Sequence, residues 1–157
     1  MIQTMNTDSN DRRQSGFSLV EVLITLVIMS VGMLGIAGLY VQSMQAGRTS
    51  MFRHHAVTLA GDVADRIRAN PRAAVAYTDA DGANKNCVSG GIDCDPAEMA
   101  ANDIFMWKAQ AADTLPGGDV TIVLDDGVVP PLYTITVSWT EPGEVPTYVI
   151  TVAVLGI

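Results

Sequence analysis

One uncharged run near the start of the chain constrains the fold more than any other feature. From Val22 to Val41 the sequence has 20 residues without a charged side chain. As a helix, such a run spans about 30 Å at roughly 1.5 Å per residue, which matches the hydrocarbon core of a bilayer. It is also longer than the roughly 7–15 apolar residues of a cleaved secretory signal. The sequence therefore predicts a membrane-spanning helix, and its 157 residues leave room for one further domain.

The remaining charge is unevenly distributed. Residues 73–157 hold two lysines against twelve acidic residues, a balance of −10. Nucleic-acid binding depends largely on phosphate contacts, so this acidic part argues against a nucleic-acid partner. Residues 48–72 hold five arginines against two aspartates, a balance of +3. That basic segment is either a solvated helix with paired charges or a contact for anionic headgroups.

A short motif directly precedes the uncharged run. In Gly16-Phe17-Ser18-Leu19-Val20-Glu21, a glycine, an aromatic residue and a carboxylate stand at fixed offsets. This motif resembles the type III signal of type IV pilins and pseudopilins, which is a polar leader followed by an aromatic first mature residue and a glutamate at the fifth. The resemblance implies a leader over residues 1–16, and it leaves open whether the chain starts at Met1 or Met5.

Three later stretches extend the resemblance. They are similar to minor pilins of the PilV type, the type IV pilus modification proteins. They read NDIFMW (102–107), LPGG (115–118) and YTITVSW (133–139). The implied function is a minor pilin, a structural subunit for type IV pilus assembly or initiation. Two alternatives share the same leader and anchor: a minor pseudopilin of type II secretion, and a tip subunit for adhesion or binding.

The resemblance also implies partners and a location. A prepilin peptidase would cut after Gly16 and methylate the new amine of Phe17. The chain would cross the bacterial inner membrane once at residues 17–41, with residues 42–157 in the periplasm, and later join other minor and major pilins in a pilus. No cofactor, small-molecule substrate or nucleic-acid partner is implied.

Glu21 is the only charge between Gly16 and Val41. A charge at the centre of a membrane helix costs about 2.5–3.5 kcal/mol on insertion scales, so an intramembrane acid is a functional candidate. The resemblance implies an assembly role, in which Glu21 meets the Phe17 amine of its own chain or of a neighbouring subunit. The alternative is a carboxylate that lies near the membrane surface, reaches water and has no role.

The rest of the chain predicts an α+β domain of the type IV pilin kind. Apolar residues at spacings of three and four predict a helix over 42–70 with one core-facing stripe, and Pro71 ends it. Asp95, Pro96 and Glu98 form a helix-start signal for a second helix. The predicted order is helix 42–70, loop 71–95, helix 96–112, then strands 119–125, 132–140 and 147–155. The strands are expected to form a three-stranded antiparallel sheet that packs on the long N-terminal helix.

Cys87 and Cys94 enclose a short segment with two glycines, which suit a chain reversal. Two cysteines in an exported domain usually pair, so we expect a disulfide. The preceding residues 79–84 resemble part of a calcium loop, but they lack the terminal glutamate of an EF-hand, and calcium binding stays open.

Catalysis is not expected. The two histidines, His54 and His55, are adjacent, so on a helix they point in different directions and do not suit one metal. The sequence has no zinc motif, phosphate-binding glycine loop or nucleophile elbow. The prediction is a non-enzyme without a metal site.

Overall fold

The computed structural model describes residues 16–79, 81–88 and 93–155. The helices are α1 (Leu19–Ala69), a 3-10 helix (Pro71–Thr78) and α2 (Pro96–Thr114). The strands are β1 (Asp119–Asp125), β2 (Leu132–Ser138) and β3 (Thr147–Ala153). The chain divides into two compact units, Met1–Met44 and Gln45–Ile157, here called the N-terminal unit and the C-terminal unit.

The N-terminal unit is helical from Leu19 onward and exposes its apolar side chains. Every described residue from 16 to 44 is exposed. The helix is long and apolar enough to cross a membrane. Its hydroxyl groups bond within the helix, since Thr25 donates to the carbonyl of Glu21 and Ser30 to that of Leu26, both at 2.7 Å. Those bonds suit an apolar solvent, where an unbonded hydroxyl is costly.

In the C-terminal unit, α1 contributes one face to the core. The buried positions recur at helical spacing, as an apolar stripe requires. They are Ala56, Leu59, Ala60, Val63, Ala64 and Ile67. Phe52, four residues before Ala56, is only partly buried and packs at the edge of this stripe.

The three strands form one antiparallel sheet in the order β1-β2-β3. Alternate residues of β2 face the core, where Tyr133, Ile135 and Val137 are at most 1% exposed. These side chains and the buried stripe of α1 belong to one hydrophobic cluster. The predicted α+β fold, with a long N-terminal helix packed on a C-terminal three-stranded antiparallel sheet, is confirmed.

Several element ends differ from the sequence-based boundaries. The predicted loop 71–95 contains the 3-10 helix, with Pro71 at its first turn. Strand β2 ends at Ser138 rather than residue 140, because the Thr140 amide bonds to the carbonyl of Pro116 and leaves the ladder. Strand β3 ends at Ala153 rather than 155, and α2 runs to Thr114 rather than 112.

Two glycines permit close backbone contacts that position α2. A Cβ added at Gly118 would overlap the carbonyl group of Ala111, one turn before the end of α2. Gly82 has φ +62°, and a Cβ there would come within 2.7 Å of the Ala101 oxygen and the Phe105 nitrogen. Only glycine fits both the left-handed backbone and this packing.

Candidate functional site

The predicted cleavage bond lies in an exposed segment just before α1. Gly16 and Phe17 precede the first helical residue, and the Phe17 side chain is 83% exposed. Ser18 caps the helix, since its hydroxyl accepts the Val20 amide at 3.3 Å and its carbonyl accepts the Glu21 amide at 3.0 Å. A peptide bond in an exposed segment outside regular secondary structure is open to a protease, and no described atom lies within 4 Å of a Cβ added at Gly16.

Glu21 lies in the first turn of α1. A negative charge is favourable there, because the first turn of a helix presents unpaired amide groups and a partial positive charge. Within the described residues, no hydrogen bond or ion pair reaches its carboxylate. The first turn thus offsets part of the cost of the charge and leaves the carboxylate oxygens open to a further partner.

The three glycines of the membrane segment lie on an unobstructed surface. A Cβ added at Gly32, Gly35 or Gly38 would meet no described atom within 4 Å. Their small size therefore serves no packing within the described chain. Small residues at this spacing suit close approach of another helix, and each also weakens its own helix by roughly 1 kcal/mol relative to alanine.

Cys87 and Cys94 are joined by a disulfide in the C-terminal unit. The bond connects the segment after the 3-10 helix to the residue just before the N-cap of α2. Asp95 caps α2 by accepting hydrogen bonds from the amides of Ala97 and Glu98, and the Asp95 amide donates to the Glu98 carboxylate at 3.2 Å. The helix-start signal that the sequence predicted is therefore present as a capping box, and the disulfide connects the preceding loop to it.

A buried polar network connects α1, the 3-10 helix and α2. Asp103 on α2 is 3% exposed and accepts a hydrogen bond from Arg66 of α1 at 2.9 Å. Its second oxygen accepts the Tyr77 hydroxyl at 3.3 Å, and Asn70 donates to that hydroxyl at 3.2 Å. Asp62, four residues before Arg66 on α1, lies 3.6 Å from the Arg66 guanidinium and forms a second ion pair with it. The network fixes three helices to one another.

Burial raises the pKa values of two groups in this network, Asp103 and Tyr77. Loss of hydration raises the pKa of Asp103, while the charge of Arg66 and the hydrogen bond from Tyr77 oppose that rise. Burial also raises the pKa of Tyr77 to about 12, so its hydroxyl remains a hydrogen-bond donor at neutral pH. Perturbed groups of this kind occur both at functional sites and in structural ion pairs. Here the groups hold helices together and both oxygens of Asp103 are already bonded.

Both tryptophans donate to carboxylates. Trp107 bonds Asp62 at 3.1 Å, and Trp139 bonds Glu141 at 2.8 Å. The second oxygen of Glu141 accepts the Thr49 hydroxyl at 2.7 Å. These hydrogen bonds lower the pKa of Glu141. Trp139 is buried in the core, and Glu141 fixes the β2–β3 connection to α1 within the C-terminal unit.

The described residues contain no cluster of three or more His, Cys, Asp or Glu side chains that could hold a metal. The two histidine rings of α1 are 6.3 Å apart and tilted, as expected for helix neighbours. In the segment considered for calcium, the Asp79 carboxylate accepts the Asp81 amide at 3.3 Å and caps a turn.

Sequence reasoning missed the Asp103 network. The pairing of Arg66 with Asp62 is visible at a spacing of four, but the approach of Asp103 depends on the crossing of α2 over α1. The available signal was an aspartate directly before the apolar stretch Ile104-Phe105-Met106-Trp107, where an acid that becomes buried requires a partner. Within that stretch, Ile104 and Trp107 are buried, whereas Phe105 and Met106 are 39% and 51% exposed.

Two family models match adjacent parts of the chain. Residues 11–37 match the prokaryotic N-terminal methylation motif. Residues 38–105 match the family described as Type IV pilin Tt1218. No curated protein and no solved structure matches the chain. The matches agree with the prepilin signal and with the fold of a type IV pilin. They do not address the PilV subtype, which stays a prediction.

Proposed function

We propose that this chain, a type IV pilin by its N-terminal motif and family match, is a minor pilin that helps to assemble or initiate a type IV pilus. The observation that carries the proposal is the N-terminal unit, an apolar helix with every described side chain exposed and one carboxylate in its first turn. None of the described residues of this unit buries that surface, which requires lipid first and other subunits later.

In this proposal, processing and residence in the membrane come before assembly. A prepilin peptidase cuts after Gly16 and methylates the Phe17 amine. The subunit then remains anchored in the inner membrane, with the C-terminal unit in the periplasm. The disulfide supports that location, because such bonds persist in oxidising compartments. No catalytic role is proposed.

Assembly then relieves the isolated charge of Glu21. Cleavage after Gly16 frees the amine of Phe17, and this amine is still a cation after methylation. In an apolar filament core, the attraction between this cation on one subunit and Glu21 on its neighbour is weakly screened. The pairing of the Glu21 carboxylate with this amine favours one register between subunits, because only one axial offset brings the two charges together.

Processing is tested by replacing the residue before the cleavage bond. Gly16→Val is expected to leave the chain uncut, because a β-branched side chain obstructs close approach of a protease to the backbone. Intact-mass measurement of membrane extracts shows whether the leader is retained. Gly38→Val is the matched control, and it should be cut as the wild type is. A normal mature mass for Gly16→Val would contradict the processing step.

The role in the pilus is tested by deletion. Loss of a structural initiator reduces the number of pili per cell, which electron microscopy counts. Loss of an adhesive tip subunit leaves the pilus number unchanged and lowers adhesion. Loss of a secretion pseudopilin leaves both unchanged and blocks export of secreted enzymes. The proposal expects the first outcome, and either of the others would overturn it.

A further inference from the structure

A cavity of about 470 Å³ opens at the beginning of the C-terminal unit. Its walls come from the first turns of α1 within that unit, from the β2–β3 connection and from Pro116 after α2. All of its lining residues belong to the C-terminal unit. Nothing in the proposed assembly mechanism uses this cavity.

The cavity presents one positive and one negative group that form no ion pair with each other, and the charge of Arg53 also helps to lower the pKa of the negative group, Glu141. Arg48 lines it, is exposed, and forms no ion pair among the described residues. Glu141 lines the same space, with one oxygen accepting Trp139 and the other Thr49. A carboxylate has about four acceptor positions, so Glu141 retains capacity for another donor. The hydrogen bonds it already accepts favour its charged form.

Apolar surface completes the lining. Phe52 is half-buried in the wall, and Pro116 and Pro142 add carbon surface that needs no hydrogen-bond partner. A ligand that suits this lining has an anionic group for Arg48, a cationic hydrogen-bond donor for Glu141, and aliphatic carbon between and beside them. A simple anion fits poorly, because the same space holds the Glu141 charge.

The position along the chain places this cavity within reach of a membrane surface. Gln45, the first lining residue, comes four residues after Val41, the last residue of the uncharged run. Both residues lie in the helix α1, in which four residues advance about 6 Å. The headgroup layer extends roughly 5–8 Å beyond the hydrocarbon core on each side. Lipid headgroups are therefore the ligands that this part of the chain meets at the highest local concentration.

We propose that this cavity binds the headgroup of a phosphoethanolamine lipid, with the phosphate at Arg48 and the primary ammonium at Glu141. The site rests on the proposed membrane anchoring of the chain. It discriminates among headgroups by chemistry: a methylated ammonium cannot donate hydrogen bonds to Glu141, and a glycerol headgroup has no cation for that carboxylate. Binding would hold the C-terminal unit at the membrane surface before assembly.

The test uses the full chain in nanodiscs that contain equal amounts of phosphatidylethanolamine, phosphatidylcholine and phosphatidylglycerol. After transfer to detergent, native mass spectrometry identifies the lipids that stay bound. The wild type is expected to retain phosphatidylethanolamine over either other lipid by about fivefold, as one added charge-assisted hydrogen bond at a partly exposed site implies.

Two variants and a matched control locate the site. Arg48→Gln and Glu141→Gln should each abolish the preference, whereas Arg72→Gln, which removes another exposed arginine of the C-terminal unit, should retain it. Equal retention of the three lipids by the wild type, a preference for phosphatidylglycerol, or the same result for Arg48→Gln and Arg72→Gln would overturn the site. A chain that fails to enter nanodiscs would instead overturn the membrane anchoring on which the site rests.

Discussion

The two units of this chain use apolar side chains in opposite ways. In the N-terminal unit, Leu26 and Ile24 are 57% and 54% exposed, as are their neighbours to similar degrees. In the C-terminal unit, Ile135 and Val63 are fully buried. Similar residue types therefore have different physical roles. Those of the C-terminal unit stabilise their own fold, whereas those of the N-terminal unit contribute free energy only through contacts with lipid or another subunit.

The largest effect is expected from removing core volume in the C-terminal unit. Ile135→Ala should lower the free energy of unfolding by about 2–5 kcal/mol, because it leaves a cavity at a fully buried site. Ile24→Ala is the matched variant in the N-terminal unit, and it should change the free energy of unfolding by less than about 0.5 kcal/mol. Both tryptophans lie in the C-terminal unit, so denaturation of the detergent-solubilised full chain followed by their fluorescence reports on that unit. Equal effects of the two variants would break the comparison.

The disulfide is expected to have the next largest effect. Its ring closes over a sequence separation of 7, for which chain entropy gives roughly 2–3 kcal/mol. The double variant Cys87→Ser, Cys94→Ser should lose about that much stability in the same fluorescence assay. Protein taken from the periplasmic side without reductant should show no free thiol. Two titratable thiols in that sample would mean that the bond does not form in the cell.

Asp103 should give a smaller effect with a defined pH dependence. Burial raises its pKa in the folded state, so its ionisation costs stability as pH rises through that pKa. Lowering the pH from 7 toward 4 should therefore stabilise the wild type relative to Asp103→Asn, which has no such proton to bind. At pH 7 the variant should differ by about 1 kcal/mol or less, because asparagine can still bond Arg66 and Tyr77.

The outcome to watch is the direction of that pH trend. If the wild type instead loses stability relative to Asp103→Asn as the pH falls, the ion pair with Arg66 outweighs burial. The pKa of Asp103 in the folded state would then be lowered rather than raised, which would contradict this description of the network.

The glycines of the membrane segment should have the smallest effect on the isolated chain. The methyl group that Gly35→Ala adds contacts no described atom, so the free energy of unfolding of the C-terminal unit should not change. The same substitution should stabilise the helix around residue 35 by roughly 1 kcal/mol. We hypothesise that this helix is intact in the bilayer and loosens in a filament. A filament map that shows this subunit helical without a break from residue 17 to 70 would contradict the loosening.

Periodicity predicted most of the fold because it reports local geometry. The period of two in β1–β3 and the spacing of three and four in α1 both depend on residues close together in the sequence. The Arg66–Asp103 contact and the Glu141–Thr49 bond were not predictable in this way, because they join residues that are 37 and 92 positions apart. The ends of β2 and β3 also depend on such distant backbone bonds, through Pro116 and Pro131.

The N-terminal site shows the reverse situation. Gly16, Phe17 and Glu21 are recognisable from the sequence because their chemistry is fixed by offsets within six residues. The structure adds the exposure of the cleavage segment and the place of Glu21 in the first turn. The partner of the Glu21 carboxylate, the Phe17 amine of a neighbouring subunit, is a proposal made from the charges of the two groups.

The most direct test of the central hypothesis follows Glu21 into the pilus. Glu21→Ala is expected to be cut and inserted as the wild type is, because the change removes only an exposed charge from the apolar helix. Glu144→Ala, which removes an exposed carboxylate from the C-terminal unit, is the matched control. Pili are sheared from cells, and the pilus and cell fractions are probed for the subunit. Glu21→Ala should be absent from the pilus fraction while Glu144→Ala is present, and wild-type levels of Glu21→Ala there would contradict the hypothesis.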